Sequence, residues 1–318
     1  MAFSAAGRVH TFPCGNNPAR FPVPAIPMSN AKHTFECLEV SGADRARFLH
    51  NLCTNDINRL AAGHVAEAFF CDARARIIAH VWILATAEVH YVVLLGASAE
   101  ALRTHLDRYI ITEKVKLNCS TRPLHLLPRS AAPAFAQSEP ADPLTGGAAA
   151  DGSAFWCNML WGDQQVVLLS ADLQDADWHE SALTAAQVDT LRILAGIPVI
   201  GVDLTDEHLA PESDRTSTAI SYKKGCYLGQ EPIARIDAMG HVNRRLCRVR
   251  ISAGDTVTIT PGTHVTDNTS NSLGMLTSVV SCSDTEALGL AVLRISQLDA
   301  PMQIQAEDQS THTVRLID

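Results

Sequence analysis

Nine consecutive residues, Lys223-Lys224-Gly225-Cys226-Tyr227-Leu228-Gly229-Gln230-Glu231, gather a thiol, two amines, two glycines and a carboxylate. So much chemistry in so short a stretch reads as a ligand site. Gly225 and Gly229 allow positive φ or a close backbone approach to a flat ligand, where a Cβ would obstruct it. Pro232, followed by Ile233-Ala234-Arg235-Ile236, predicts a helix beginning near Gly229, because proline is tolerated in a first helical turn. Glu231 would complement the positive end of that helix. Cys226 then stands just before a helix N-terminus and beside Lys223 and Lys224, surroundings that favour thiolate over thiol. Two readings of Cys226 stay open: a reactive or ligand-touching thiol, and a small buried hydrophobe.

Charge supports a ligand at this place. Between Ser221 and Arg250 there are seven basic side chains against two acidic ones, in a chain whose formal net charge is −9. A positive island in an acidic protein fits an anionic small ligand or a short nucleic-acid contact, and also fits plain solvated arginines. No interleaving of aromatic and basic residues supports base stacking, which disfavours direct nucleic-acid binding. The nine cysteines are an odd, scattered set with no Cys-x-x-Cys pair, which indicates reduced thiols and argues against a local zinc or cluster cradle. The thirteen histidines include no His-Glu-x-x-His, and no Gly-x-Ser-x-Gly elbow is present; neither metallopeptidase nor hydrolase chemistry is indicated. Gly146-Gly147 is followed by no Lys-Ser/Thr and is not a phosphate loop. The 47% apolar content is enough for buried cores, while no apolar run approaches the roughly 18 to 20 residues of a membrane span.

Length suggests two or three units to carry this site. Residues 1–31 contain Pro13, Pro18, Pro22, Pro24 and Pro27 and no acid, and are expected to form a flexible leader. Their acid-free composition is similar to that of a transit peptide, but the prolines prevent the amphipathic helix such peptides use. Residues 34–119 read as β-α-β-β-β-α-β, a ferredoxin-like unit. Thr34 to Val40 is a strand; Ser41 with Asp44 resembles a capping box for a helix carrying Phe48, Leu49 and Leu52. Val65 to Cys71, Arg76 to Leu84 and Val89 to Leu95 are strands. Ser98 caps a helix with Leu102, Leu106 and Tyr109 on one face, and Lys114 to Leu117 is extended. Residues 120–243 form a second α+β unit: a proline- and glycine-rich loop over 128–153, strands at Phe155 to Met159 and Gln165 to Leu169, and a helix opened by a Thr184/Gln187 capping box and closed by Gly196 and Pro198. On that helix Arg192 reads as a structural ion pair. From residue 244 to 318, short strands (Cys247 to Ile251, Thr256 to Ile259, Met275 to Val280, Ala287 to Leu293, Gln303 to Ala306, Thr313 to Ile317) alternate with turns, as in a small β-barrel. The fold class expected is α+β: two α/β sandwich units plus a C-terminal β-barrel.

The nonapeptide resembles the K-G-C-[FY]-x-G-Q-E signature of the YgfZ family of folate-binding proteins, whose mitochondrial relatives assist maturation of iron–sulfur proteins. The resemblance extends through Leu191 to Pro198, Pro211-Glu212-Ser213, Ile220-Ser221-Tyr222, and Ala234-Arg235 to Gly240-His241-Val242. Upstream it takes in Val40 to Arg45, Phe48-Leu49, Leu52 to Ile57, and Cys71 to Arg76. It spans about Glu36 to Arg294. It implies an aminomethyltransferase-like three-unit architecture with a ligand cavity where the units meet, tetrahydrofolate or a derivative as ligand, and iron–sulfur assembly or client proteins as partners. It also implies an indirect effect on tRNA modification, in a bacterial cytoplasm or alternatively a mitochondrial matrix.

A reduced folate presents a polar pterin edge, a flat middle and an anionic glutamate tail. Gln230 or Glu231 could hydrogen-bond the edge, Tyr222 or Tyr227 stack, and Lys224 or Arg235 neutralise the tail, with Gly225 and Gly229 permitting close approach. Tyr227 reads first as packing, Arg235 equally as an internal ion pair, and Asn55 and Asp56 either as cavity lining or as turn closure. True aminomethyl transfer, as in the glycine-cleavage T-protein, is the alternative. The resemblance places its acidic residues at positions occupied here by Ala79 and Leu194, neither of which can accept a proton. A tRNA-contacting modification factor is a further alternative.

Overall fold

A computed structural model describes residues 35–136, 144–150, 153–170, 181–240, 242–252, 259–306 and 309–317. The leader expected over 1–31 lies outside the described residues, as do His241 and most of the strand expected from Thr256.

The first sheet contains β1 (Phe35–Ser41), β2 (Val65–Cys71), β3 (Ile77–Ala85), β4 (Val89–Leu95) and β5 (Lys116–Cys119), with α1 (Arg45–Leu52) and α2 (Ala99–Asp107) in the connections. Strand order is β2-β3-β4-β1-β5 and each pairing is antiparallel. Every element of the β-α-β-β-β-α-β reading is present. Ser98 caps α2, its side chain accepting from the Ala101 amide at 3.4 Å. The Ser41/Asp44 capping box is not formed. Asp44 is itself the cap residue of α1, without a side-chain cap bond, because its carboxylate accepts from the Lys114 amide at 2.8 Å and so ties α1 to the approach to β5.

The central strands are apolar on both sides because both faces of this sheet are covered. Side chains alternate across a strand, so on β3 Val81 and Ile83 pack under α1 and α2 with Phe48, Leu49, Leu102 and Leu106. Trp82 and Leu84 point the other way, into a second core with Tyr91, Phe155, Met159 and Trp161. That core joins a second antiparallel sheet, β6 (Leu124–Pro128), β7 (Gly146–Ala148), β8 (Phe155–Trp161) and β9 (Gln164–Ser170), in the order β6-β9-β8-β7. The loop expected over 128–153 is corrected in part: Gly146–Ala148 pairs with β8, and the Gly146 amide donates to Gly63 at 2.9 Å. A Cβ on Gly146 would fall 2.3 Å from the Trp156 carbonyl oxygen. Close packing therefore selects a residue with no strand signal of its own.

Among the described residues the α-helices that follow are α3 (Ala185–Leu194), opened by the expected Thr184/Gln187 capping box, the short α4 (Thr216–Ala219), and α5 (Gln230–Met239). The C-terminal strands β10 (Arg244–Ser252), β11 (His264–Thr266), β12 (Ser272–Ser281), β13 (Glu286–Arg294), β14 (Met302–Gln305) and β15 (Thr311–Leu316) close into a barrel of order β10-β13-β12-β11-β14-β15. Val249, Ile251, Leu276, Leu293, Ile304 and Val314 belong to its core.

The barrel is keyed to α3 by a buried polar network. Arg192 is 1% exposed; its guanidinium pairs with Asp189 at 2.5 Å and Asp203 at 2.7 Å and donates to Ser278 Oγ at 2.8 Å. Thr277 and Ser278 of β12 donate in turn to Asp203 Oδ1 at 2.7 and 2.6 Å. Buried charge is tolerated where it is paired and hydrogen-bonded, and Arg192 is the structural ion pair its apolar neighbours implied.

Candidate functional site

The signature loop runs from the end of α4 to the start of α5, and it is divided by side-chain direction. Lys224, Tyr227 and Gly229 face inward. Lys224 is 7% exposed, and its Nζ donates to the carbonyl oxygens of His50, of Cys53 at 2.7 Å and of Asn55 at 2.9 Å. An ammonium has three N–H donors, and these carbonyls lie in and just past the last turn of α1, where partial negative charge collects. The Tyr227 ring, 4.7 Å from Nζ, lies in a core with Phe69, Ile77, Ile233 and Leu290. The Leu228 amide completes the lashing, donating to Asn51 at 3.0 Å. Gly229 takes φ +82, and a Cβ there would lie 2.5 Å from the Asp72 carbonyl oxygen. Its freedom lets the loop close on the β2–β3 turn and start α5.

Several expectations are thereby corrected. Lys224 is a clamp on α1, with its donors spent on backbone, and does not face outward to an anionic tail or to Cys226. Tyr227 packs, as its first reading held, and does not offer a stacking face. Gly229 admits protein backbone, where a flat ligand was expected. Gly225 is exposed and is not in the left-handed region; the nearest atom to a Cβ there would be His50 Nε2 at 3.8 Å. Asn55 closes a turn: its Nδ2 donates to Glu67 O at 2.7 Å and Thr218 O at 3.0 Å, and its Oδ1 accepts from the Asp56 amide at 2.8 Å. Asp56 turns back to His50 Nδ1 at 3.2 Å and to Arg59 at 3.6 Å.

The outward half holds Tyr222, Lys223, Cys226, Glu231 and Arg235, all exposed, with Gln230 half-buried as the first residue of α5. The buried-hydrophobe reading of Cys226 is excluded by its exposure. Glu231 sits in the first turn of α5, as its charge requires. Arg235 makes no ion pair among the described residues. Tyr222 and Lys223 border a surface cavity of about 350 Å³, shared with Thr216, Ser217, Ile220, Ser221 and Asp237 of α5. Burial, followed by the nearby Asp237 charge, pushes the Tyr222 phenol up, so it stays protonated.

The cavity floor is fixed from below by residues that the sequence reading missed. Thr54 Oγ1 donates to Ala219 O at 2.6 Å and accepts from the Phe69 amide at 2.8 Å, while the Ser221 amide donates to Thr54 O at 2.9 Å. Arg215, at the head of α4, donates to both carboxylate oxygens of Glu67, at 2.7 and 2.6 Å, and His80 Nε2 lies 2.7 Å from Glu67 Oε1. The His80 ring stacks on Phe69 with centroids 4.7 Å apart. Burial pushes the Glu67 carboxyl up, but hydrogen bonds from His80 and Arg215 outweigh it and hold it at about 2. A signal existed: Val65, Glu67 and Phe69 share one strand face, and a lone carboxylate between apolar neighbours demands a partner.

The expected transferase positions bring no acid to this place. Ala79 is fully buried under the helices, and Leu194 is 41% exposed at the end of α3.

No family model matches the chain. Among curated proteins it is 28% identical to the mitochondrial iron-sulfur cluster assembly factor IBA57 homolog of Phaeosphaeria nodorum, over 68% of this chain and 53% of that one. It is 23% identical to the tRNA-modifying protein YgfZ of Aliivibrio fischeri over 96% of each. To the iron-sulfur cluster assembly factor IBA57 of Homo sapiens it is 26% identical, over 85% of this chain and 78% of the relative. The chain thus spans about half the length of the first of these relatives and nearly all of the second. Among solved structures, the glycine cleavage system aminomethyltransferase T from Bartonella henselae superposes with a TM-score of 0.73 at 16% identity, over 89% of this chain and 83% of that one. The resemblance carried by the signature is matched by relatives bearing the YgfZ and IBA57 names, and the aminomethyltransferase-like architecture with its closed barrel is shown.

Proposed function

We propose that this chain is a folate-binding accessory protein that supports the assembly or repair of iron–sulfur proteins. The observation that carries the reading is the division of the signature loop: Lys224 and Tyr227 are buried and anchored, so Cys226, Tyr222 and Lys223 are presented outward from a fixed frame. An exposed thiol on an anchored loop suits recognition of a ligand or partner, because ordering costs on binding are low when the site is pre-organised. A reduced folate fits the residue types that remain free, an aromatic face at Tyr222 and cationic groups at Lys223 and Arg235. The names of the relatives support the iron–sulfur role, and the effect on tRNA named for others is reached through iron–sulfur enzymes that modify tRNA. Partners are iron–sulfur assembly or client proteins, in a bacterial cytoplasm or a mitochondrial matrix.

The test has two arms. Titration of the purified protein with tetrahydrofolate gives saturable binding. In a strain lacking the gene, wild type restores iron–sulfur enzyme activity under oxidative stress and Cys226→Ala does not. Equal rescue by both removes the thiol from the function. Aminomethyl transfer is disfavoured by Ala79 and Leu194, and methylene transfer from an aminomethyl carrier would reinstate it.

A further inference from the structure

A cavity of about 520 Å³ lies on the barrel, between β15, β14 and the residues that lead into β14, and no residue of the signature loop lines it. Its size falls within the roughly 300–1,000 Å³ usual for small-molecule sites. Side chains alternate across a strand. Met302 and Val314, directly paired, belong to the barrel core, so Gln303 of β14 and Thr311, Thr313 and Arg315 of β15 stand on the outer face. The cavity touches both sets and therefore has an apolar side, with Leu298 beside Met302, and a polar one.

Two opposite charges in this cavity are left without partners. Arg315 stands opposite Arg250 in the β10–β15 register, and like charges directly opposite one another are destabilising. Glu286 balances Arg250 at 3.2 Å, and Arg315 stays uncompensated. Asp299, just ahead of β14, lines the same cavity, yet among the described residues neither its carboxylate nor the Arg315 guanidinium makes an ion pair or hydrogen bond, with the other or with any third group. A guanidinium fork matches a carboxylate bidentately, and a carboxylate accepts from an ammonium. A wholly anionic ligand would satisfy Arg315 and be repelled by Asp299; a wholly cationic one would meet the reverse. The Thr311 and Thr313 hydroxyls can donate or accept, and Gln303 is held in place by donating from Nε2 to the Asp267 carbonyl at 3.1 Å.

We propose that this cavity binds a small zwitterion of the amino-acid or short-peptide type, with its carboxylate on Arg315, its ammonium on Asp299 and an apolar side chain against Leu298 and Met302. Neither folate nor Cys226 enters this assignment.

Calorimetry on the full chain tests it with four probes, leucine, leucylleucine, N-acetylleucylleucine and leucylleucinamide, against wild type, Arg315→Gln and Asp299→Asn. Both positions are exposed, and a thermal melt checks that each variant folds. Losing a hydrogen bond between charged groups weakens binding at least about tenfold. At least one of the two zwitterions, leucine and leucylleucine, is expected to bind wild type saturably and to lose that factor in each variant. Binding of leucylleucine alone identifies a peptide as the source of the zwitterion, and binding of leucine identifies the free amino acid. The N-acetyl form, without its ammonium, and the amide, without its carboxylate, are each expected to bind wild type at least about tenfold more weakly than leucylleucine. The first should no longer respond to Asp299→Asn, nor the second to Arg315→Gln. Wild type that binds neither zwitterion overturns the proposal, as does zwitterion binding that both variants leave unchanged. N-acetylleucylleucine binding as tightly as leucylleucine would reveal a plain anion site and overturn the role given to Asp299.

Discussion

Lys224 Nζ lies 2.7 Å from the carbonyl oxygen of Cys53, which joins the signature motif to the end of α1 and makes its second lysine a cap for a helix C-terminus. Replacement by Met would leave the carbonyls of His50, Cys53 and Asn55 without their donor. Because hydrogen bonds to charged groups contribute about 1.5–3 kcal/mol each and are not additive, Lys224→Met is expected to lose about 3 kcal/mol or more of unfolding free energy in urea denaturation.

Two glycines of the motif should part company. Gly229→Ala places a Cβ against the Asp72 carbonyl at a residue with φ +82 and is expected to cost roughly 1–3 kcal/mol. Gly225→Ala meets nothing nearer than 3.8 Å and should leave the urea midpoint within about 0.5 kcal/mol of wild type. Equal losses at the two sites would contradict the loop geometry.

The Glu67 carboxylate carries a pH signature. Its folded value of about 2 is depressed below the ordinary value of about 4.3. Its contribution is therefore fully present above about pH 4.3 and is lost as pH falls toward 2. Glu67→Gln, which leaves the Arg215 charge half-satisfied, is expected to cost about 3 kcal/mol at pH 7. The gap between variant and wild type should close on acidification from pH 5 to pH 2.

The network under the barrel is sensitive to removal of one charge. Arg192→Met would remove the counter-charge of the buried Asp189 and Asp203 carboxylates, and breaking a buried pair in this way costs about 3–5 kcal/mol. The wild-type side chain is 1% exposed, so solvent cannot compensate. Chemical denaturation checks the loss, and a loss below about 1 kcal/mol would show that the carboxylates find other partners.

Cys226 should behave in the opposite way. Its side chain is exposed and makes no hydrogen bond among the described residues, so Cys226→Ser should leave stability within about 0.5 kcal/mol. The same variant is expected to fail in restoring iron–sulfur enzyme activity. Stability retained with function lost separates a working thiol from a packing one.

The elements that sequence reading located are those whose stabilisation is local or periodic. Val65–Cys71 and Val89–Leu95 fall at their expected bounds because apolar runs flanked by turn residues admit few alternatives, and Ser98 and Thr184 cap where their hydroxyls reach the next turn. β7 escaped notice because Gly146-Gly147-Ala148 carries no side-chain pattern and becomes a strand only by pairing with β8. Glu67 went unnoticed because one acid in a strand announces a buried partner without naming it; Arg215 lies 148 residues away.

The signature by itself determined which family of proteins this chain resembles, where α5 begins, and that a thiol, amines and a phenol share one loop, since these depend on residue identity and neighbouring residues. Which of those groups turn inward was decided only by tertiary structure. An irregular loop has no period to assign its faces, and the carbonyl of His50 that helps draw Lys224 out of solvent lies 174 positions earlier in the chain. Asp237 joined Tyr222 and Lys223 for the same reason: the fold sets residues of α5 and of the segment after α4 around one cavity, a grouping that their order along the chain does not announce.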